Sequence, residues 1–168
     1  MPSVERDSVR TRKALSTLPV RAALGASMIY HGYGKLAGSG PEQAGALMEN
    51  QVGVTPGKSW AVATGIAEVF AGASAVLGLW TRPAAIAVLV TQGVALAKVH
   101  AKNGYDITKG GYEYNLALMA IAVGMLTAGP GTVSTHELLE RAAEGRGARR
   151  LFRKARPSPL LRLIKLLK

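Results

Sequence analysis

Apolar positions along the chain gather into four long runs, at roughly 17–36, 59–80, 83–100 and 114–132. A helix needs about 20 mostly apolar residues to cross a bilayer. The second run carries Glu68 as its only charge, and the fourth carries none. A soluble surface helix repeats a polar face every ~3.6 residues. From Val69 to Thr81, and again from Tyr114 to His136, no such face recurs. The pattern predicts an all-α integral membrane four-helix bundle over 17–137. "GLWTRPAA" (78–85) reads as a tight turn with Pro83 where the next helix begins. "AGPGT" (128–132) reads as a helix stop. The stretches 37–58 and 101–112, rich in Gly, Pro and polar residues, read as connections.

The flanks differ from this body. Residues 1–16 form a basic segment, and 138–168 form a basic tail ending in "SPLLRLIKLLK". In that ending Arg162, Lys165 and Lys168 fall on one stripe among Leu and Ile. It is too short to span, so it reads as an amphipathic interfacial helix. The 168 residues have a formal net charge of +11. Residues 141–168 hold ten Lys/Arg against Glu144 alone, which accounts for +9 of it. A charge concentrated in one tail on an apolar body points to anionic lipid headgroups, or to a partner subunit, through Arg150, Arg153, Lys154, Arg162, Lys165 and Lys168. A nucleic-acid binder would carry its basic residues as a patch on the folded domain. The sequence has no cysteine, which excludes disulfides, thiol catalysis and cysteine-held metal clusters.

Lys/Arg counts in short flanks set orientation. Arg6, Arg10, Arg12, Lys13, Arg82 and the tail fall on one side. Lys58, Lys102 and Lys109 fall on the other, offset by Glu42, Glu49 and Asp106. Both termini are therefore expected in the cytoplasm, with 37–58 and 101–112 outside.

An ionised side chain inside a bilayer costs at least ~2.5–3.5 kcal/mol unless paired or wetted, so the embedded polar residues are the candidates for function. On the first helix Arg21, Met28 and Lys35 share a stripe that His31 joins. Glu68 lies near mid-depth of the second, flanked one turn away by Gly65 and Gly72. Gln92 and His100 share a face of the third, and Glu113 and Asn115 open the fourth. Thus His31, Lys35, Glu68, Gln92, His100, Glu113 and Asn115 are expected to meet as a ligand site in the outer half. A structural polar clasp of Arg21, Glu68 and Arg82, or of Glu68 with Lys35, is the bland alternative and is compatible with it. The strongest ligand class is a quinone, whose carbonyls His and Glu can hydrogen-bond and whose protons they can exchange. A bis-histidine haem between His31 and His100 is disfavoured because both lie near the surface. No Glu-x-x-His pair marks a di-metal site, and no metal is expected.

The elements "R…LG…HGYGKL" (21–36), "GIAEVFAGASAVLGLWTRPAA" (65–85), His100 with "GGYEYNLAL" (110–118) and "GPGTVS" (129–134) resemble the DoxX family of small bacterial membrane proteins. Arg21, His31, Lys35, Glu68, Arg82, His100, Glu113 and Asn115 match that family's recurring polar positions. One departure is Ser134-Thr135-His136-Glu137, where the family commonly has Ser-Leu-Asp. The resemblance implies a four-helix protein of the bacterial cytoplasmic membrane, acting as a subunit or anchor of a quinone-linked redox complex. Electrons would come from a partner, and the chain would not be an enzyme alone. The rival expectation is a non-catalytic accessory or scaffold whose tail docks a partner or a lipid surface.

Overall fold

The computed structural model describes residues 17–131, 133–144 and Leu166, with only the backbone placed for 140–144. The tail residues from Arg150 to Lys168 named above as a membrane or partner surface lie outside the described side chains. Among the described residues there is no strand. Six helices follow in order: α1 (Leu18–Leu36), α2 (Gly40–Leu47), α3 (Gly57–Leu77), α4 (Thr81–Ala95), α5 (Glu113–Ala128) and α6 (Thr135–Glu144). A π turn, Met48–Val52, extends α2. A second, Leu96–His100, and a 3-10 turn, Ala101–Asn103, extend α4.

The four apolar runs become α1, α3, α4 and α5, with ends that local chemistry explains. The second run ends at Leu77, three residues early, because Gly78 takes the left-handed conformation (φ 65°). Leu79 N then donates to Ser74 O (3.0 Å) and Gly78 N to Ala75 O (3.2 Å), the paired bonds that close a helix on a C-terminal glycine. Pro83 sits in the first turn of α4, where its missing N–H costs nothing. Gly129 (φ 71°) ends α5.

The 37–58 connection is not a plain loop: α2 and its π turn occupy 40–52. Its start signal is present in the sequence as Ser39-Gly40-Pro41-Glu42, a capping residue followed by proline and an acid in the first turn. Across the tip, Glu49 Oε1 accepts from Gly57 N at 2.7 Å, so a side chain of the α2 extension satisfies one of the orphan donors that open α3.

The core mixes alanines with a few larger apolar side chains. Leu24 and Met28 of α1 meet Ala71 and Ala75 of α3, Ala84, Ala85 and Val88 of α4, and Leu118, Ala122 and Met125 of α5. α1 runs antiparallel along α3 in the most extensive helix pairing among the described residues, α4 packs on α3 and α5, and α5 touches α1 only lightly. Two glycine pairs set the α1–α3 distance. A Cβ on Gly72 would stand 2.6 Å from Gly25 O and 2.9 Å from Ile29 N, and one on Gly32 would stand 2.6 Å from Gly65 O. The two backbones therefore touch, the geometry that small residues permit between membrane helices.

Among the described residues two helices are long and apolar enough to cross a membrane, Gly57–Leu77 and the continuous Thr81–Asn103; α5 is apolar but shorter. Exposed aromatics cluster toward the ends, with Tyr30, Tyr33 and Trp60 near the α2 end and Trp80 at the Gly78 end.

Candidate functional site

The register of the glycine pairs brings Glu68 level with the Ile29–His31 turn of α1. Lys35 lies one turn further toward the α2 end. A helical side chain leaves its backbone tilted toward the helix N-terminus, which for Lys35 means toward the middle of the helical body. The ammonium follows that direction. It lies within 3.5 Å of His31 O and forms an ion pair with Glu68 Oε2. The Glu68 side chain is 5% exposed and that of Lys35 23%. The pair is thus closed on the Glu68 side and open on the Lys35 side.

His31 lies one turn before Lys35 on α1, and its carbonyl is the one the ammonium approaches. Its ring sits 5.6 Å from the ring of Tyr30 and 5.6 Å from that of Tyr114, at the start of α5. His31 and Tyr30 belong to the outward side of α1. Where α1 and α5 approach, a histidine and a tyrosine therefore line the seam, with the ion pair behind them. Tyr114 is the site residue that sequence reasoning missed, although it stands between two residues it singled out, Glu113 and Asn115.

The seven expected ligand residues divide into three groups. Lys35, Glu68 and His31 form the first. Gln92 and Asn115 form a buried second: Asn115 Nδ2 donates to Gln92 Oε1 at 2.8 Å, and Gln92 Nε2 lies 3.7 Å from Met28 Sδ. This rung ties α5, α4 and α1 together and uses polar groups to fix register. His100 and Glu113 form the third and serve the 101–112 connection. His100 Nδ1 lies 2.8 Å from Gly110 O, Asn103 Nδ2 donates to the same carbonyl (3.0 Å), and Glu113 Oε2 accepts from Ile107 N (3.4 Å). The π turn at Leu96–His100 interrupts the regular helical face expected for Gln92 and His100, and it turns His100 onto the loop.

The expected clasp also divides. Glu68 pairs with Lys35, not with Arg21. Arg21, near the other end of α1, is buried and donates to four main-chain carbonyls: Nε to Ala75 O (2.8 Å), Nη2 to Val76 O (2.8 Å), and Nη1 to Pro130 O (2.7 Å) and Val133 O (2.8 Å). Ala75 and Val76 lie in the last turn of α3, where unpaired carbonyls and the negative end of the helix dipole both favour a cation. Pro130 and Val133 belong to the turn that leaves α5. Gly78 completes the cradle, since a Cβ there would meet the guanidinium and Ser134. Arg82 stands exposed in the first turn of α4. It lies beyond the Gly78 turn, which is itself ten residues or about 15 Å of helix from Glu68.

Outside the apolar helices, hydrogen bonding tunes two carboxylates at the α2 end. Lys58 donates to Glu42 at 2.5 Å and holds its carboxyl below the usual range. The Thr108 hydroxyl and backbone N–H do the same for Asp106, at 2.7 Å and 2.9 Å. Lys102 Nζ donates to Gln51 Oε1 at 3.0 Å and links the two connections.

The family model DoxX matches residues 16–101. The chain belongs to the DoxX family. That places it in a family of membrane-associated proteins with redox-linked roles. The match takes in Arg21, His31, Lys35, Glu68, Arg82, Gln92 and His100 of this DoxX protein, and stops short of α5 with Tyr114 and Asn115. Among curated proteins and among solved structures, none matches the chain.

Proposed function

We propose that this DoxX protein is an integral membrane subunit or anchor of a quinone-linked redox complex, and that it holds a quinone or a similar lipophilic ring at the α1–α5 seam. In this reading α1, α3, α4 and α5 all span the bilayer as a four-helix bundle, with both termini in the cytoplasm. α1, at 19 residues, is about 28 Å long, close to the ~30 Å of a hydrocarbon core. The exposed tyrosines and tryptophans near its ends suit the two interfaces.

The observation that carries the reading is the Lys35–Glu68 ion pair. It is embedded among apolar helices, half-open at Lys35, and fronted by His31 and Tyr114. A quinone presents two carbonyl acceptors on a flat apolar ring. The residues present fit that chemistry: Lys35 and His31 offer N–H donors, and the Tyr114 ring offers a stacking face. Gln92 and Asn115 are hydrogen-bonded to each other and lie apart from this group. Bound there, a quinone would supply two-electron, two-proton redox chemistry. Electrons would arrive from a partner subunit. His31 would exchange protons at its ring nitrogens, and the Lys35–Glu68 pair would hold the local charge balance.

A second reading, a non-catalytic scaffold, draws support from the same pair, since Glu68 is already satisfied by Lys35 and asks for no further partner. Purification in mild detergent, lipid extraction and chromatography separate the two. A quinone that co-purifies with the native chain and is lost in Glu68→Gln and His31→Ala, with both variants still folded, supports the pocket. Variants and native chain alike free of quinone, with unchanged partner activity, support the scaffold.

A further inference from the structure

We propose that α6 is a membrane-surface anchor, with Leu138 and Leu139 inserted among the headgroups of an anionic leaflet at the Gly78 end of the molecule. Three observations converge. First, α6 is fixed to the body at its start. Ser134 is buried, His136 is 1% exposed, and His136 N donates to Gly78 O at 3.4 Å. Ser134 Oγ also caps the helix by accepting from Glu137 N at 3.2 Å. The helix is therefore presented from the Arg21 cradle, at the level where α3 and α4 turn.

Second, its apolar side is wider than the body covers. Leu138 is 65% exposed and Leu139 46% exposed. They are two large apolar side chains next to each other, with exposed Val133 just before them. In water such a patch would be costly. At the headgroup boundary it is the usual contact of an amphipathic helix lying in the interface plane.

Third, charge names the occupant. The chain that follows α6, residues 145–168, holds nine Lys/Arg and no acid. Basic residues near an anionic leaflet are drawn to it electrostatically. α6 itself carries Glu137, Glu140 and Glu144 against Arg141, so the helix contributes the apolar pair and the segment after it supplies the attraction to an anionic surface. This inference needs only the membrane placement of the family and is independent of the quinone reading.

The chain has no cysteine, so a single introduced thiol can be labelled without background. Full-length Leu138→Cys, and Thr108→Cys in the exposed 101–112 connection as reference, are labelled with an environment-sensitive fluorophore. Each is then placed in nanodiscs of phosphatidylcholine alone or mixed with phosphatidylglycerol. Co-elution with lipid reports membrane placement separately from the outcome at residue 138. The expected result is a blue-shifted Leu138 probe in the anionic discs. It should be quenched by spin-labelled lipid and several-fold less accessible to aqueous iodide than the Thr108 probe. Neutralising Arg149, Arg150, Arg153 and Lys154 to Gln should weaken that protection. Equal iodide access at both positions overturns the proposal. So does a probe shielded from water but untouched by lipid quencher, which would mean a protein covers the patch. Insertion equal in neutral and anionic discs overturns the assignment to an anionic surface.

Discussion

The Lys35 ammonium reaches back along α1, away from the nearer end of the helix, to pair with the buried Glu68 carboxylate. A lysine close to a membrane surface would ordinarily extend toward water. Here the direction of the helix and the position of the acid turn it inward. This converts two costly charges into one compensated pair.

Breaking one side of that pair should cost more than removing both. Glu68→Gln leaves the ammonium without its counter-charge, and Lys35→Met leaves a nearly inaccessible carboxylate alone. Each is expected to destabilise by about 2–3 kcal/mol, below the range for a fully enclosed pair because Lys35 is partly open. The double variant Lys35→Met/Glu68→Gln should recover at least half of that loss. Denaturant unfolding of the four proteins in detergent gives the coupling energy directly. Additive losses would mean that the two residues do not interact in the folded chain.

The glycines separate into those that backbones touch and those that face open space. Gly72→Ala puts a methyl group against Gly25 O and Ile29 N, main-chain atoms of a packed helix that cannot rotate aside. It should lower stability by about 1–3 kcal/mol through forced separation of α1 and α3. Gly124→Ala, on the exposed side of α5 with nothing within 4 Å of the added carbon, should be neutral or stabilise by up to about 1 kcal/mol from helix propensity. Thermal unfolding of the two variants side by side checks both signs.

Much of this architecture is legible in the residues. Gly65 and Gly72, the small residues that flank Glu68 in the sequence, receive Gly32 and Gly25. The four apolar runs become helices because nothing in them competes with helical hydrogen bonding. What periodicity could not supply is the choice of partner. Arg21 and Lys35 share a stripe of α1, so spacing alone gives both equal claim on Glu68. The decision comes from the antiparallel register, which puts Lys35 within reach of the acid and sets Arg21 against the end of α3. His100 escaped its expected face because a π turn shifts the helical phase, and no pattern of apolar residues announces such a turn. Helix α2 was hidden by its Gly and Pro content, although Ser39-Gly40-Pro41-Glu42 carries the start signal.

At the α2 end, Glu42 should titrate below an ordinary glutamate, because the Lys58 hydrogen bond favours its charged form. A carboxylate depressed in the folded state contributes stability that is fully present above its unfolded value and is lost as pH falls through the folded one. Carbon-13 carboxyl NMR on selectively labelled chain should show the Glu42 midpoint moving up in Lys58→Ala while Asp106 stays where Thr108 holds it. Both residues are open to solvent, so the change in global unfolding should be small. A Glu42 midpoint that ignores Lys58→Ala would show that the pair does not persist.

At the opposite end, Arg21 should prove the hardest residue to replace. Four carbonyls from two separate segments converge on one guanidinium, and two of them belong to the turn that carries the chain from α5 into α6. Lysine keeps the charge but offers no planar fork. It can reach one or two of the four acceptors and leaves the others buried without donors. Arg21→Lys is therefore expected to lose about 3 kcal/mol, nearly as much as Arg21→Gln, and to expose the 129–134 turn to protease. If charge alone held the cradle, Arg21→Lys would melt with the native chain and only Arg21→Gln would be cleaved. Measuring melting and cleavage together distinguishes the two accounts. It also tests whether α6 depends on Arg21 for its position, since the carbonyl of Val133 is the last link before that helix begins.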